Sequence, residues 1–153
     1  MPITVQIASR IAGIPPAARL RQWVRAALPR GAGESATPAK VSITLRVVNR
    51  AEARRLNRGF RDQDHATNVL TFAYSSAPVA ADIVLCAPVI TSEARDQGKT
   101  ARAHYAHLTV HGVLHACGFD HATRRQATLM EARETAILSK LGFANPYQTQ
   151  NHG

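Results

Sequence analysis

The stretch that decides the fold is His111–His121, HGVLHACGFDH, in which three histidines stand at offsets 0, +4 and +10. Residues four apart on a helix share one face about 5–6 Å apart, so the rings of His111 and His115 can bind one ion. Gly118 can adopt a positive φ, end the helix and turn His121 back towards the same point. Three neutral imidazoles leave the fourth position of a tetrahedral zinc open to water, as in catalytic sites. The spacing therefore predicts one zinc ion per chain, bound by His111, His115 and His121.

The same order of histidines and glycine occurs in the metzincin proteases, which place a glutamate directly after the first histidine as general base. In this chain that position is Gly112, and no carboxylate occurs between His111 and Phe119. A peptidase with this sequence would lack its proton acceptor. We therefore expect a zinc-metalloprotease-like metal helix that serves a different reaction. Asp120, next to His121, is interpreted as a carboxylate that orients a ligand.

A cysteine and two further histidines lie close to the motif without matching its spacing. Cys117 lies off the face shared by the two helical histidines, so we expect a buried, inert thiol there rather than a ligand. His104 and His107 precede the motif on the same predicted helix. We expect these two rings at the surface or behind the ligands, not on the ion.

The segments around the metal helix alternate between strand and helix patterns. Apolar residues at every second position predict four strands, near residues 3–7, 41–47, 67–74 and 82–86. Helices are predicted over about residues 16–28, 50–58, 88–97, 102–117 and 123–141. This order predicts right-handed crossovers at the start and a hairpin between the third and fourth strands. The expected fold class is α+β, with a four-stranded, mostly mixed sheet that carries the helices. Residues 1–147 are expected to form a single domain, and residues 148–153 a flexible polar tail.

Length and composition narrow the class of protein. The chain has 153 residues, of which 45% are hydrophobic, and this suits one domain with a single core rather than a disordered chain. No window approaches the roughly 18 apolar residues of a membrane span, and the N-terminus lacks the pattern of a secretion signal. Two cysteines are too few for a disulfide framework. A cytoplasmic location without membrane contact is the expectation.

The positive charge of the chain is concentrated in its N-terminal part. Residues 1–61 hold twelve Lys and Arg against two Asp and Glu, or +10, whereas residues 62–153 hold seven against eight, or −1. Arg50, Arg54 and Arg58 repeat every four residues on one predicted helix, and a bound anion would relieve their mutual repulsion. Because basic faces attract polyanions, this region is expected to bind nucleic acid. An Arg-rich surface that is only solvated is the alternative.

The string HGVLHACGFDH also closely resembles the signature of the YbeY family, and the resemblance extends over about residues 41–147. Leu56-Asn57, Phe60-Arg61, Asp64 and the stretch TNVLTF at 67–72 resemble the family's Asn-x-x-Tyr-Arg and Thr-Asp-Val-Leu-Ser-Phe segments. Further matches are Asp82-Ile83 in the family's Gly-Asp-Ile strand, Met130, Glu134, Ile137 and Leu138 in its last helix, and Gly142 with Asn145-Pro146-Tyr147 at its ending. The three-histidine string is the most specific part of this likeness.

The resemblance implies that zinc is held by the three histidines of the motif and that Arg61 lines the cleft. There its guanidinium would stabilise the negative charge that builds up on a phosphate during hydrolysis. Arg61 is therefore the predicted catalytic residue. A salt bridge from Arg61 to Asp62, Asp64 or Asp82 is the alternative interpretation.

The resemblance further implies a cytoplasmic, zinc-dependent endoribonuclease that hydrolyses phosphodiester bonds of single-stranded RNA in ribosomal RNA maturation and ribosome quality control. Ribosomal RNA is then the expected partner, and the family also implies small-subunit ribosomal proteins as partners. Two other functions stay open. One is a ribosome-assembly factor that binds RNA through a fold with a structural zinc and has little or no cleavage activity. The other is a hydrolase of a different substrate, peptide included, against which Gly112 argues.

Overall fold

The computed structural model describes residues 3–28, 41–61, 67–76 and 78–147, without the side chains of residues 60 and 61. The elements in these ranges are β1 (Ile3–Ile7), α1 (Ala17–Ala27), β2 (Ser42–Val48), α2 (Arg50–Arg61), β3 (Val69–Ser76), β4 (Val79–Cys86), α3 (Ala87–Asp96), α4 (Ala101–Ala116) and α5 (Arg124–Lys140). This is the predicted order of strands and helices, with ends that differ by a few residues. The predicted tail at 148–153 lies outside the described residues.

The four strands form one mixed sheet in the order β1-β2-β4-β3. β1 pairs with β2 and β2 with β4 in parallel, whereas β3 and β4 pair antiparallel. Parallel neighbours need crossover connections, and α1 lies in the first of them, between β1 and β2. The predicted α+β class, mixed sheet and hairpin are therefore confirmed. β3 is left as an edge strand, and it is in contact with α4.

The two faces of the sheet carry different sets of helices because the side chains of a strand alternate. On β4, Ile83 and Leu85 point into the larger core, which contains the buried residues of α1, α4 and α5. Val84 and Cys86 belong to a smaller cluster on the other face, together with Ala53 of α2. The metal helix and the basic helix α2 thus lie on opposite faces of the sheet.

Helix α4 is the central helix of the larger core. Most of its residues are buried, and its N-cap Thr100 accepts a hydrogen bond from the backbone N–H of Ala103 at 3.0 Å. At its other end Gly118 has φ +103°, and its N–H donates to the carbonyl of His115 at 3.0 Å. The N–H of Phe119 donates to the carbonyl of Leu114 at 3.0 Å, which completes a Schellman turn. The predicted chain reversal at Gly118 is confirmed.

Helix α5 follows this turn and packs against α4. It begins with a capping box, in which the Thr123 hydroxyl accepts from the N–H of Gln126 and the Gln126 side chain accepts from the N–H of Thr123. The face of α5 that enters the core carries Met130, Ile137, Leu138 and one carboxylate, Glu134. Among the described residues, no helix is long and apolar enough to span a membrane.

Candidate metal centre

Helix α4 and the turn after it bring three imidazole rings together. His111 and His115 lie one helical turn apart, and their ring centroids are 5.0 Å from each other. The Schellman turn returns the chain so that the ring of His121 lies 4.9 Å from that of His115 and 5.7 Å from that of His111. Each ring offers a nitrogen, and these three nitrogens all lie within 4.8 Å of one another. The structure therefore gathers the three residues that the spacing predicts.

The donor set and its spacing fit a metal ion. His115 Nε2 and His121 Nδ1 are 3.2 Å apart, and two nitrogens on one tetrahedral zinc at 2.0–2.1 Å would be about 3.3–3.4 Å apart. Burial lowers the pKa of His115, and the neighbouring rings of His111 and His121 lower it further. A lowered pKa favours the neutral imidazole, which is the form that binds a metal. Neutral imidazoles suit zinc and several other first-row metals.

The three rings stand at the side of a cleft of about 690 Å³. One wall is the edge strand β3 with the residue before it, and the lining residues are Asn68, Val69, Leu70, Thr71, Ala73, His111, His115, Asp120 and His121. Catalytic metal sites differ from structural ones because one side of the ion stays accessible. The position of the three histidines beside an open cleft is typical of the catalytic kind.

Asp120 fixes the backbone next to the third histidine. Its Oδ1 accepts a hydrogen bond from the backbone N–H of His121 at 2.7 Å. Asp120 is exposed and lines the cleft, so its carboxylate contributes negative charge beside the imidazoles. Asp120 thus acts on the main chain of His121, and its interpretation as a ligand-orienting carboxylate stays a prediction.

A second carboxylate, Glu134, contacts the first histidine from behind. Its side chain is fully buried, and its Oε2 accepts a hydrogen bond from His111 Nδ1. Its Oε1 accepts a hydrogen bond from the Tyr147 hydroxyl and lies 3.7 Å from His107 Nε2. Burial alone would raise the pKa of Glu134, but the polar contacts with His107, His111 and Tyr147 outweigh it and lower the pKa to about 2. Glu134 is therefore an ionised acceptor at neutral pH.

Glu134 and Tyr147 are two residues of the site for which the sequence predicts no chemical role. A signal for Glu134 was present, because an acidic residue on the face of α5 formed by Met130, Ile137 and Leu138 has to be paired when it is buried. The helical spacing of these residues does not identify the partner of Glu134. Tyr147 lies beyond the end of α5, and its only signal in the sequence is the match of Asn145-Pro146-Tyr147 to the family ending, which implies no role for the hydroxyl.

The other histidines of α4 do not point into the cleft. His104 is buried, and its Nε2 lies 2.8 Å from Glu93 Oε1, an oxygen that also accepts from Asn68 Nδ2 at 3.0 Å. Burial lowers the pKa of His104 despite the bond to Glu93. The expectation of a surface ring is wrong for His104, because the aromatic ring is part of the core. His107 lies behind the ligands, 3.1 Å from the Tyr147 hydroxyl.

Cys117 caps the C-terminus of α4 and is partly exposed. Burial raises the pKa of its thiol to about 11, so the thiol stays protonated at neutral pH. In the part of the chain that the structure describes, Cys117 joins none of the groups that could hold a metal. This agrees with the inert thiol that the sequence predicts, although the side chain is not fully buried.

Arg61 is the last residue of α2, and its side chain lies outside the described residues. The chain is described again from Thr67, and Asn68 already lines the cleft. Of the three alternative partners for Arg61, Asp62 and Asp64 also lie outside the described residues. The third, Asp82, accepts a hydrogen bond from the Tyr74 hydroxyl at 2.8 Å.

Gly112 lies where α4 packs directly against β3 and β4. A Cβ at this position would lie 2.9 Å from Ile83 Cγ2 and 3.3 Å from Thr71 Oγ1. The position directly after the first histidine therefore has no room for the glutamate that the metzincins carry there. A metzincin-type general base is excluded at residue 112 by packing as well as by the sequence.

Comparisons with known proteins point to one family. The family model described as Endoribonuclease YbeY matches residues 6–142. A relative from Acidovorax sp. is 58% identical over 129 residues, covering 80% of this chain and 85% of its own. A relative from Verminephrobacter eiseniae is 53% identical over 132 residues, covering 86% and 80%, and both are named endoribonuclease YbeY. The solution structure of a Thermotoga maritima protein shares the fold, with a TM-score of 0.58 and 21% identity over 95% of this chain and 99% of its own.

Proposed function

The chain belongs to the YbeY family of endoribonucleases, and from this premise we propose that it is a zinc-dependent endoribonuclease that hydrolyses phosphodiester bonds of single-stranded RNA. We place this activity in ribosomal RNA maturation and ribosome quality control, in the cytoplasm. The observation that carries the proposal is the group of three imidazoles beside an open cleft. An open cleft favours a catalytic role of the metal over a purely structural one.

His111, His115 and His121 would hold the zinc ion. When bound, zinc would act as a Lewis acid and lower the pKa of water towards about 7, which would make hydrolysis feasible at neutral pH. The protein contributes neutral rings, of which His115 is kept neutral by burial and by its neighbours. The cleft beside β3 would receive the RNA backbone, with one phosphodiester placed next to the three rings.

Arg61 is the residue that we propose to stabilise the phosphate. Hydrolysis of a phosphodiester increases the negative charge on the non-bridging oxygens, and a guanidinium can donate two parallel hydrogen bonds to them. Two observations support this role. Arg61 ends α2, and the chain reaches the cleft wall at Asn68, seven residues later.

The packing at Gly112 supports RNA over peptide as the substrate. Peptide hydrolysis at a metzincin-like centre relies on a glutamate after the first histidine, and the contacts with Ile83 and Thr71 leave no space for one. The arginines of α2 supply the complementary charge for RNA, because Arg50, Arg54, Arg55 and Arg58 are all exposed. RNA that touches both α2 and the metal centre would pass the edge strand β3.

The test is zinc analysis combined with a cleavage assay on single-stranded RNA. Purified protein is expected to hold about one zinc per chain and to cleave, whereas His115→Ala is expected to lose both the ion and the cleavage. His152→Ala, which removes a histidine far from the motif in sequence, is the matched control and should behave like the unchanged protein.

Two results would contradict this function. Metal-free protein that cleaves RNA at the full rate would show that zinc takes no part in the reaction. Zinc-loaded protein that binds RNA without cutting it, together with a His115→Ala variant that unfolds, would identify an assembly factor with a structural zinc.

The remaining proposals follow from the family and from composition. Residues 1–147 are proposed as a single metal-dependent hydrolase domain, followed by a polar tail at 148–153. Ribosomal RNA is the proposed partner, with small-subunit ribosomal proteins as additional partners. Size-exclusion chromatography with ribosomal subunits, with and without added RNA, would reveal these partners.

A further inference from the structure

A row of hydrogen-bonded groups leads from the protein surface to the ring of His111. His107 Nε2 lies 3.1 Å from the Tyr147 hydroxyl, which donates to Glu134 Oε1. The other oxygen of the same carboxylate, Oε2, accepts from His111 Nδ1. Glu134 is fully buried between them, so each of its oxygens depends on these side chains and not on solvent.

The chemistry of the groups fixes the direction of each hydrogen bond. A carboxylate only accepts, so the Tyr147 hydroxyl and His111 Nδ1 both donate to Glu134. The tyrosine oxygen is then free to accept from His107 Nε2, and the two rings meet edge to face with centroids 5.2 Å apart. With its proton on Nδ1, neutral His111 has its lone pair on Nε2, the nitrogen available to a metal.

Tyr147 is itself tied to the protein by several contacts. Its backbone N–H donates to Asn145 Oδ1 at 2.8 Å, and the carbonyl of the preceding Pro146 accepts from Lys99 Nζ at 3.4 Å. Tyr147 as a whole is 41% exposed, and its hydroxyl reaches the buried Glu134. The segment after α5 thereby brings one donor to the buried carboxylate.

We propose that Glu134, held by Tyr147 and His107, is a positioning residue for the metal ligand His111. The carboxylate would keep the ring in the Nδ1–H tautomer and in the orientation that presents Nε2 to the ion. A carboxylate behind a ligating histidine also raises the basicity of that ligand. This inference rests on the proposed function, since it assigns Glu134 a role at the same metal centre.

A second metal ion is the competing explanation for the same cluster. His107, His111 and Glu134 each offer one ligand atom within 4.8 Å of the others. However, both oxygens of Glu134 already accept hydrogen bonds, and the nearby nitrogen of His111 donates one of them. The carboxylate of Glu134 is satisfied by these two hydrogen bonds, and this favours positioning over metal binding there.

The first test measures the tautomer of His111 by nitrogen-15 NMR in metal-free protein. We expect the Nδ1–H tautomer in the unchanged protein and its loss in Glu134→Met, which has a similar length but no acceptor. A general structural role of Glu134 would not select one tautomer. His111 found with its proton on Nε2 in the unchanged protein would overturn the proposal.

The second test measures zinc affinity by competition with a chelator. Glu134→Gln keeps the shape of the side chain but removes its charge, and we expect zinc to bind about 10–100-fold more weakly. Tyr147→Phe removes only one hydroxyl, so a smaller loss of about 10-fold or less is expected. Matched controls are Glu131→Gln, on the exposed side of α5, and Tyr74→Phe, whose hydroxyl contacts Asp82. Both controls should bind zinc like the unchanged protein.

The outcomes separate this proposal from the proposed function. Zinc affinity that is lost in His115→Ala but unchanged in folded Glu134→Gln and Tyr147→Phe would refute the positioning role and leave the metal centre intact. A chain that binds no zinc at all would refute the metal centre. The tautomer of His111, measured without metal, would still decide whether Glu134 positions the ring. Circular dichroism of each variant verifies that it is folded.

Discussion

The two halves of helix α4 each carry a histidine paired with a glutamate, but the burial of the partners is reversed. In the N-terminal half, the side chain of His104 is 4% exposed and that of Glu93 is 34% exposed. In the C-terminal half, His111 is 23% exposed and Glu134 is 0% exposed. The same pair of residue types therefore produces two environments. In each pair, the buried side chain is held in place by the core, and its partner is the group that faces solvent.

In the N-terminal pair the imidazole belongs to the core. Glu93 accepts from Asn68 as well as contacting His104, so the pair ties α3 and α4 to the segment before β3. In the C-terminal pair the carboxylate belongs to the core and the ring faces the cleft. The first arrangement holds elements together, and the second would hold the proposed ligand His111 in place.

The largest expected difference between the pairs is in metal binding and stability. His111→Ala removes a proposed ligand and leaves the buried Glu134 without one of its donors. We expect loss of stoichiometric zinc and a cost of about 3–5 kcal/mol in the free energy of unfolding of the metal-free protein. His104→Ala opens a cavity but leaves Glu93 partly solvated, so a cost of about 1–3 kcal/mol with zinc binding retained is expected.

Zinc titration and urea unfolding of both variants would check this difference. The unchanged protein, stripped of metal with a chelator, provides the reference for stability. If His104→Ala lost zinc as completely as His111→Ala, both halves of α4 would serve the metal centre. The division into a structural half and a ligand half would then be wrong.

The parts of the site that were predicted from the sequence depend on local geometry. His111 and His115 are one turn apart, and Gly118 ends the helix, so the positions of the three rings follow from short-range rules. The crossover from β1 to β2 and the hairpin of β3 and β4 were predictable for the same reason, but the pairing of β2 with β4 was not predicted.

The parts that were not predicted depend on contacts between residues far apart in the chain. Glu134 meets His111 across 23 residues, and Tyr147 meets His107 across 40. Which face of α5 meets which face of α4 is decided by packing, and no pattern within either helix contains that information. The burial of His104 was missed for a similar reason, because Glu93 and Asn68 supply its polar partner network from other segments.

The pH dependence of stability should differ between the two pairs. Burial lowers the pKa of His104 below its ordinary value of 6.5. The contribution of His104 to the free energy of unfolding is therefore fully present above pH 6.5 and is lost as the pH falls below that value. The pKa of Glu134 is lowered from 4.5 to about 2. The contribution of Glu134 to the free energy of unfolding is therefore present above pH 4.5 and is lost between pH 4.5 and 2. For Glu134 this loss amounts to about 3 kcal/mol.

Urea unfolding of metal-free protein between pH 8 and pH 3 would separate the two windows. His104→Gln should remove only part of the pH dependence of the free energy of unfolding below pH 6.5. The rest remains because burial also lowers the pKa of His115. Glu134→Gln should flatten the pH dependence of the free energy of unfolding below pH 4.5. If the stability of Glu134→Gln fell between pH 4.5 and 3 as much as that of the unchanged protein, the lowered pKa of Glu134 would not be the cause of the acid sensitivity.

The smallest expected effect concerns Gly112, next to His111 in the C-terminal half of α4. At Gly112 a methyl group would meet Ile83 Cγ2 at 2.9 Å, and overpacking of this kind costs about 1–3 kcal/mol. An alanine regains about 1 kcal/mol of helix propensity, so Gly112→Ala is expected to destabilise by about 1 kcal/mol. Gly59 in α2 is the matched control, because nothing lies within 4 Å of its added Cβ and Gly59→Ala should stabilise by up to about 1 kcal/mol. If the melting temperature falls in Gly112→Ala and rises in Gly59→Ala, the glycine next to His111 is required by the close contact between α4 and the sheet rather than by helix propensity. Stabilisation by both substitutions would show that the helix can move away from β4, and the lack of room for a glutamate at residue 112 would no longer hold.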